Sequence, residues 1–377
     1  MFFRLKLQLS AALVLCASCS FYAGAQSAGP EPSAGFRVET IAHVQDAREL
    51  AAAPNGDLIV GTSGSEIFVV RDAEGTPQTP EVLVDVGDSP AAGVALAPGA
   101  LFIGSQFAVW RVAYEPGAHG PLKAVKIESV RPRGTGGHST TSVAVAPNHL
   151  YYSVGSSCNA CVETDPTRAS IFETQLDGSA SRAVAKRIRN AIALAVQPGT
   201  QALWAGVAGQ DELEHGHPYE IFDAVTAHAG TADYGWPFCY ENRRPVHPSD
   251  DCSQIAVSRA VFPAYDTPIG AVFYPLHETG KYAFPSDYAG GAFVALHGSW
   301  HVPPVAPRVA FVPFHDGEPA KAVDWSDPDV QWREFLGGFQ SGISRIGRPT
   351  GIAVGSQGSL FVADDKAGVV YRIRPSR

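Results

Sequence analysis

Short apolar strands separated by tight turns run through nearly the whole chain, and one phrase keeps returning. "LAAAPNGDLIVGTSGSEIFVV" from Leu50 is echoed by "GVALAPGALFIGSQFAVWRV" from Gly93, "SVAVAPNHLYYSVGS" from Ser142 and "ALAVQPGTQALWAGVAG" from Ala193. A stretched copy starts at Gly270, and "GIAVGSQGSLFVADDKAGVVYRI" from Gly351 closes the chain. Each copy is an apolar strand, a turn with Pro or Gly, and a second alternating strand that ends in small residues. Hardly any segment carries a long helical apolar period, so little helix is expected. A single strand–turn–strand unit cannot bury both of its faces, so units of this kind stack or close into a ring. Six copies predict an all-β chain, a six-bladed β-propeller. A β-sandwich gives no reason for one phrase to recur.

In a propeller the first strand of each blade starts beside the central channel, so residues just before those strands share one rim. His138, Arg189 with Asn190, Pro268 with Ile269, and Arg348 all hold that position. A lone histidine is most often structural. His138, between a Gly-Gly turn and a hydroxyl-rich stretch, is instead a candidate general base, since imidazole works near neutral pH without special tuning. Arg189 and Arg348 are inter-blade ion pairs in the plainest view. At equivalent blade positions they suggest an anionic ligand, because a guanidinium grips a carboxylate in a forked geometry. Arg308 is a third candidate. Gly235 and Pro237, in the rigid aromatic turn "DYGWPFCYE", leave carbonyls of the kind that hold a hard cation such as Ca²⁺. Trp300 offers a flat face for stacking a ring or a sugar. Asp364 and Asp365 read as a turn.

Composition narrows the classes. The 377 residues are 45% hydrophobic and 17% charged, a globular balance, and the net charge is −9 with no basic cluster. Nucleic acid is therefore excluded as a partner. Arg4 and Lys6, the apolar run Leu9 to Phe21 and the small residues Ala23-Gly24-Ala25 form a secretory signal peptide over 1–25. The apolar run is too short for a transmembrane span. Residues 26–377 are then one propeller domain, periplasmic or secreted, and monomeric by default. Cys16 and Cys19 lack a small-residue context for lipid attachment. Four cysteines remain after cleavage. In an exported protein they favour disulfides, Cys158–Cys161 and Cys239–Cys252 by proximity, over a redox or zinc role for the C-x-x-C. No C-x-x-C-H is present, so electrons from any oxidation pass to an external acceptor, a cytochrome or a quinone.

The phrases "HSTTSVAVAPNHLYYSVGSSCNAC", "RIRNAIALAVQP", "DYGWPFCYE", "YAGGAFVALHGSW" and "GRPTGIAVGSQGSLFVADDKAGVVYRI" resemble, in order and spacing, the glucose/sorbosone dehydrogenase family, including its pyranose dehydrogenase-like branch. The resemblance implies a soluble sugar dehydrogenase that uses pyrroloquinoline quinone (PQQ) and Ca²⁺ on a six-bladed propeller. It places His138 on the base that takes the sugar hydroxyl proton and Arg189 and Asn190 on the pair that contacts the quinone. Gly235 and Pro237 fall in the calcium-holding turn, Trp300 near the quinone ring, and Arg308 and Arg348 on charges facing it. Thr141 stands where the family commonly has arginine, and the loop from Ala208 to Leu213 lacks its usual asparagine and arginine. Two alternatives follow from these departures and from other propellers. One is a non-catalytic propeller that binds a sugar or a protein, and the other is a calcium-dependent lactonase.

Overall fold

In the computed structural model, residues 29–131, 136–301 and 304–376 are described, so the expected signal segment 1–25 lies outside them. The repeats become antiparallel meanders of four strands. Ala47–Ala52, Leu58–Thr62, Glu66–Val70 and Glu81–Asp85 pair in succession, and so do Ala91–Ala97, Ala100–Ser105, Ala108–Ala113 and Ala124–Ser129. A single bridge, Thr62 to Ala91, joins these two sets into one eight-stranded sheet. The pattern recurs in Val143–Ala146 through Arg182–Lys186, in Ala191–Val196 through Ala260–Phe262, and in Pro268–Phe273 through Arg333–Gly337. Among the described residues there is no α-helix, only two three-residue 3₁₀ turns, Val225–Ala227 and Ser286–Tyr288.

The final set mixes the two chain ends. Pro349–Val354, Leu360–Asp364 and Val369–Pro375 are completed by Phe36–His43, which pairs antiparallel with Val369–Pro375. That strand covers an edge that would otherwise present unpaired backbone groups, and it ties the N-terminal part to the C-terminal part.

The first strands of the sets pack side by side around a common axis. Ala47–Ala52 lies against Ala91–Ala97 and Pro349–Val354, and Pro268–Phe273 lies against Ala191–Val196 and Pro349–Val354. Val143–Ala146 fills the remaining gap, between Ala91–Ala97 and Ala191–Val196. Leu50, Val94, Val143, Leu194, Phe273 and Ile352 face one central cavity of about 280 Å³. The approach is close enough to demand glycine: a Cβ on Gly270 would lie 2.0 Å from the Thr350 carbonyl oxygen. Between neighbouring sets the faces bury aromatic side chains, as where Phe284, Phe293, Phe311, Phe335 and Tyr288 of one set share a core cluster with Leu360, Val362 and Ile373 of the next. Truncating one of these phenylalanines to alanine removes roughly 3–5 kcal/mol by lost transfer energy and cavity formation.

Both disulfides expected from the sequence are present, Cys158–Cys161 and Cys239–Cys252. No described helix is long and apolar enough to cross a membrane.

Candidate active site

Residues that enter the first strands meet at one end of the axis, around a cavity of about 350 Å³. His138, Arg189, Asn190, Trp300 and Arg348 all lie on its wall, brought together from four separate strand sets. Gly155 makes the closest of these approaches possible. A Cβ there would sit 2.6 Å from the His138 Cβ and 2.6 Å from the Asn190 Oδ1, so any larger residue would push the two apart.

His138 is fixed through one ring nitrogen. Its Nδ1 lies 3.0 Å from the Ser156 Oγ and 3.2 Å from the Ser156 carbonyl oxygen. The Ser156 hydroxyl hydrogen is already donated to the Cys158 carbonyl at 2.7 Å, so both atoms facing Nδ1 can only accept. Nδ1 therefore carries the proton, and Nε2 keeps its lone pair. Burial, then the positive charge of Arg189, depress the imidazole to about 4, so the ring is neutral at physiological pH. Its backbone is held from behind. Arg131 and Arg168 both donate to the His138 carbonyl oxygen, and Arg131 also donates to the Thr141 Oγ1 at 2.9 Å. The threonine that departs from the family pattern is thus a fully buried acceptor for Arg131.

Arg189 is oriented by a residue with no sequence signal of its own. The Asn159 carbonyl oxygen accepts Nε at 2.9 Å, and the Asn159 Oδ1 accepts Nη2 at 2.9 Å. Nη1 donates to the Ala208 carbonyl at 3.1 Å. Asn159 lies inside the Cys158–Cys161 loop, so the C-x-x-C clamps the loop that holds this guanidinium. The neighbouring Asn190 is buried, and its side-chain amide has no hydrogen-bond partner among the described residues.

Arg348 is oriented by His297, which sequence reasoning also missed although it sits in the quoted "LHGSW". Arg348 Nη2 donates to the His297 Nδ1 at 2.7 Å. The other imidazole nitrogen must then carry hydrogen, which it donates to Asp365 at 3.1 Å. Burial holds His297 low, at about 4, against the opposing pull of Asp365. Asp365 also takes Arg48 at 3.0 Å, so the predicted turn at Asp364 and Asp365 anchors a cationic wall.

The structure separates the other sequence candidates from this wall. Arg308 pairs with the fully buried Asp266 at 2.8 Å and lies 5.2 Å from the Trp332 ring centre. It does not line the cavity. A buried carboxylate needs a cation or a proton, and burial still pushes Asp266 up to about 6 with Arg308 beside it. Gly235 and Pro237 do not line the cavity either. The Gly235 carbonyl closes its own turn, accepting the amides of Phe238 at 2.9 Å and Cys239 at 3.0 Å. The wall does include Asp211, Glu220, Tyr265 and Arg345, none of them anticipated. Glu220 is buried, accepts the Gly209 amide at 2.6 Å and the Tyr265 amide at 3.1 Å, and is raised by burial to about 8.

The wall fits a planar polyanion. It carries three arginines, and the Nε atoms of Arg345 and Arg348 are buried with no hydrogen-bond partner among the described residues. The Gly235–Pro237 turn lies off this wall, with its Gly235 carbonyl engaged by two amides.

Comparison with known proteins places the chain. Residues 219–376 match the TrAA12-like family model. The PQQ domain of pyranose dehydrogenase from Coprinopsis cinerea, in its holo form, aligns at a TM-score of 0.75 and 18% identity, covering 92% of this chain and 97% of that one. The calcium structure of a family AA12 carbohydrate-active enzyme from Trichoderma reesei gives 0.75 at 17% identity over the same shares. The fold is therefore shared with these domains. An uncharacterized protein of Borreliella burgdorferi is 25% identical over 233 residues, 60% of this chain and 57% of its own length.

Proposed function

We propose, from the TrAA12-like match of residues 219–376, that this chain is an exported PQQ-dependent sugar oxidoreductase built on a single six-bladed propeller. The ring of first strands supports the propeller reading, and the two disulfides support export. The observation that carries the activity is the meeting of a neutral, Nε2-basic His138 with Arg189, Asn190 and Arg348 around one cavity.

PQQ, when bound, supplies an electrophilic carbonyl carbon able to accept hydride. Arg189 and Arg348 would hold its negative groups, with Asn190 offering its side-chain amide. Oxidising a carbinol to a carbonyl removes one hydride and one proton. Taking that proton from the sugar hydroxyl is the role of His138 Nε2, and Ser156 keeps the tautomer that makes this possible. Arg189, held by Asn159, keeps positive charge at the wall where negative charge develops. The turn at Gly235 and Pro237 lies off this wall, and its Gly235 carbonyl is engaged within the turn.

A lactonase would gather carboxylates around a channel metal, whereas this wall sets three arginines against Asp211 and Glu220, and Glu220 is raised by burial to about 8. A panel of aldoses, mixed with PQQ-loaded protein and an artificial acceptor, tests the reading. Turnover that disappears in His138→Ala supports it, and turnover that persists in that variant removes His138 from the chemistry.

A further inference from the structure

Beside the cavity runs an outer groove of about 600 Å³. The two spaces share Trp300, Arg345 and Arg348 as common walls, so a molecule in the groove is continuous with whatever reacts at His138. The groove has a distinct character in three respects.

Its apolar surface is unusually exposed. Trp300 is 73% exposed and Ile343 is 84% exposed. Trp300 stacks on His301, with ring centres 4.4 Å apart and planes inclined by 19°. His301 stacks in turn on Tyr265 at 3.7 Å and 25°. The three rings therefore run from the cavity wall, where Tyr265 lies, out to solvent. An aromatic face of this kind suits the C–H face of a pyranose.

Its charge is one-sided. Arg345, Arg348 and Lys366 line it with no carboxylate among the lining residues, in a chain whose net charge is −9. Asp365, the nearest acid in sequence, is committed to Arg48 and His297.

Its central cation is free. Arg348 is held by His297, but the Arg345 side chain has no hydrogen-bond or ion-pair partner among the described residues, and its Nε is buried. A buried guanidinium edge without a partner is the arrangement that a forked carboxylate contact satisfies.

We propose that this groove is a subsite for a carboxylate-bearing sugar: a uronic-acid unit stacked on Trp300, with its carboxylate on Arg345 and Lys366. The substrate is then an acidic saccharide of at least two units, one at His138 and the acidic one outside it. The inference rests on the sugar-oxidoreductase reading, and it deepens that reading by naming a substrate class.

Binding to the purified protein without cofactor tests it apart from turnover. Digalacturonic acid and neutral galactobiose are titrated by calorimetry and by tryptophan fluorescence. The expected result is that the acidic disaccharide binds about tenfold tighter, one charge-assisted contact's worth. Added salt should erode that preference, and Trp300→Ala should weaken both ligands. Arg345→Gln should abolish the preference. Lys366→Gln, an exposed change that does not threaten folding, should reduce the preference about threefold. Equal affinity for the two disaccharides, binding of neither, or a preference that survives both substitutions overturns the subsite.

A parallel PQQ titration separates this from failure of the wider reading. If PQQ binds and the acidic disaccharide does not, only the subsite falls. If Arg345→Gln loses PQQ affinity and PQQ-loaded protein shows no acid preference, Arg345 belongs to the cofactor and the subsite is overturned.

Discussion

Asn159 holds Arg189 at two points, taking Nε on its carbonyl oxygen and Nη2 on its side-chain oxygen, each at 2.9 Å. The same side chain reaches across to Asp211, accepting the Asp211 amide at 2.8 Å and donating to the Asp211 carbonyl at 3.1 Å. One residue in the Cys158–Cys161 loop thus fixes both a cationic wall residue and the loop opposite it.

Asn159→Ala is therefore expected to lower PQQ affinity about tenfold, since Arg189 loses its Nη2 contact with the Asn159 Oδ1, one of its three hydrogen bonds. The Asn159 backbone carbonyl survives the substitution but loses the side-chain contacts to the Asp211 loop that position it. Replacing Cys158 and Cys161 together by serine should weaken PQQ in the same direction while shifting the melting temperature little, because a loop with a sequence separation of 3 restrains the unfolded chain only slightly. A large melting shift with unchanged affinity would assign the disulfide to stability alone.

The pH dependence of turnover follows from His138. The base must be unprotonated, and burial with Arg189 holds it at about 4. Activity is then fully present above that value and is lost as pH falls through it. An acid limb centred near 6.5, the ordinary histidine range, would show a solvated ring and contradict the geometry. Arg189→Gln removes a depressing charge, so the limb should move upward.

Much of this architecture was legible in the chain. Alternation of apolar and polar positions located the repeated strands, because a meander buries alternate side chains wherever it occurs. The positions just before the first strands put His138, Arg189, Asn190 and Arg348 on one wall, since neighbouring sets share an axis. Asn159 and His297 were not legible, because their roles are contacts between distant loops. Arg308 and the Gly235–Pro237 turn show the converse. Each has chemistry suited to a site, but local partners consume it: Asp266 for the arginine, and the turn's own amides for the Gly235 carbonyl.

His297→Ala tests the second clamp. Arg348 loses its 2.7 Å contact with Nδ1 and, among the described residues, keeps only the distant Asp365 for its side chain, at 3.8 Å from Nε. PQQ affinity should fall about tenfold, whereas turnover at saturating PQQ should change little, because both ring nitrogens of His297 are already engaged, by Arg348 and by Asp365. A fall in turnover with unchanged affinity would give His297 a direct part in the chemistry.

Ser156→Ala probes the tautomer. The Nδ1 hydrogen keeps the Ser156 carbonyl at 3.2 Å but loses the hydroxyl at 3.0 Å. Turnover should drop several-fold with the substrate KM unchanged, and Ser156→Thr, which retains a hydroxyl, should restore most of it. Equal losses in both variants would point to packing in place of hydrogen bonding.

The most direct measurement is a PQQ titration of the purified protein in calcium-containing buffer, followed by the quinone's absorbance, for the natural sequence and for the Arg189→Gln, Arg348→Gln double variant. The account predicts stoichiometric uptake by the first at micromolar protein and at least a hundredfold loss in the second, as two guanidiniums are removed from the wall. No uptake, or uptake indifferent to both substitutions, would contradict it.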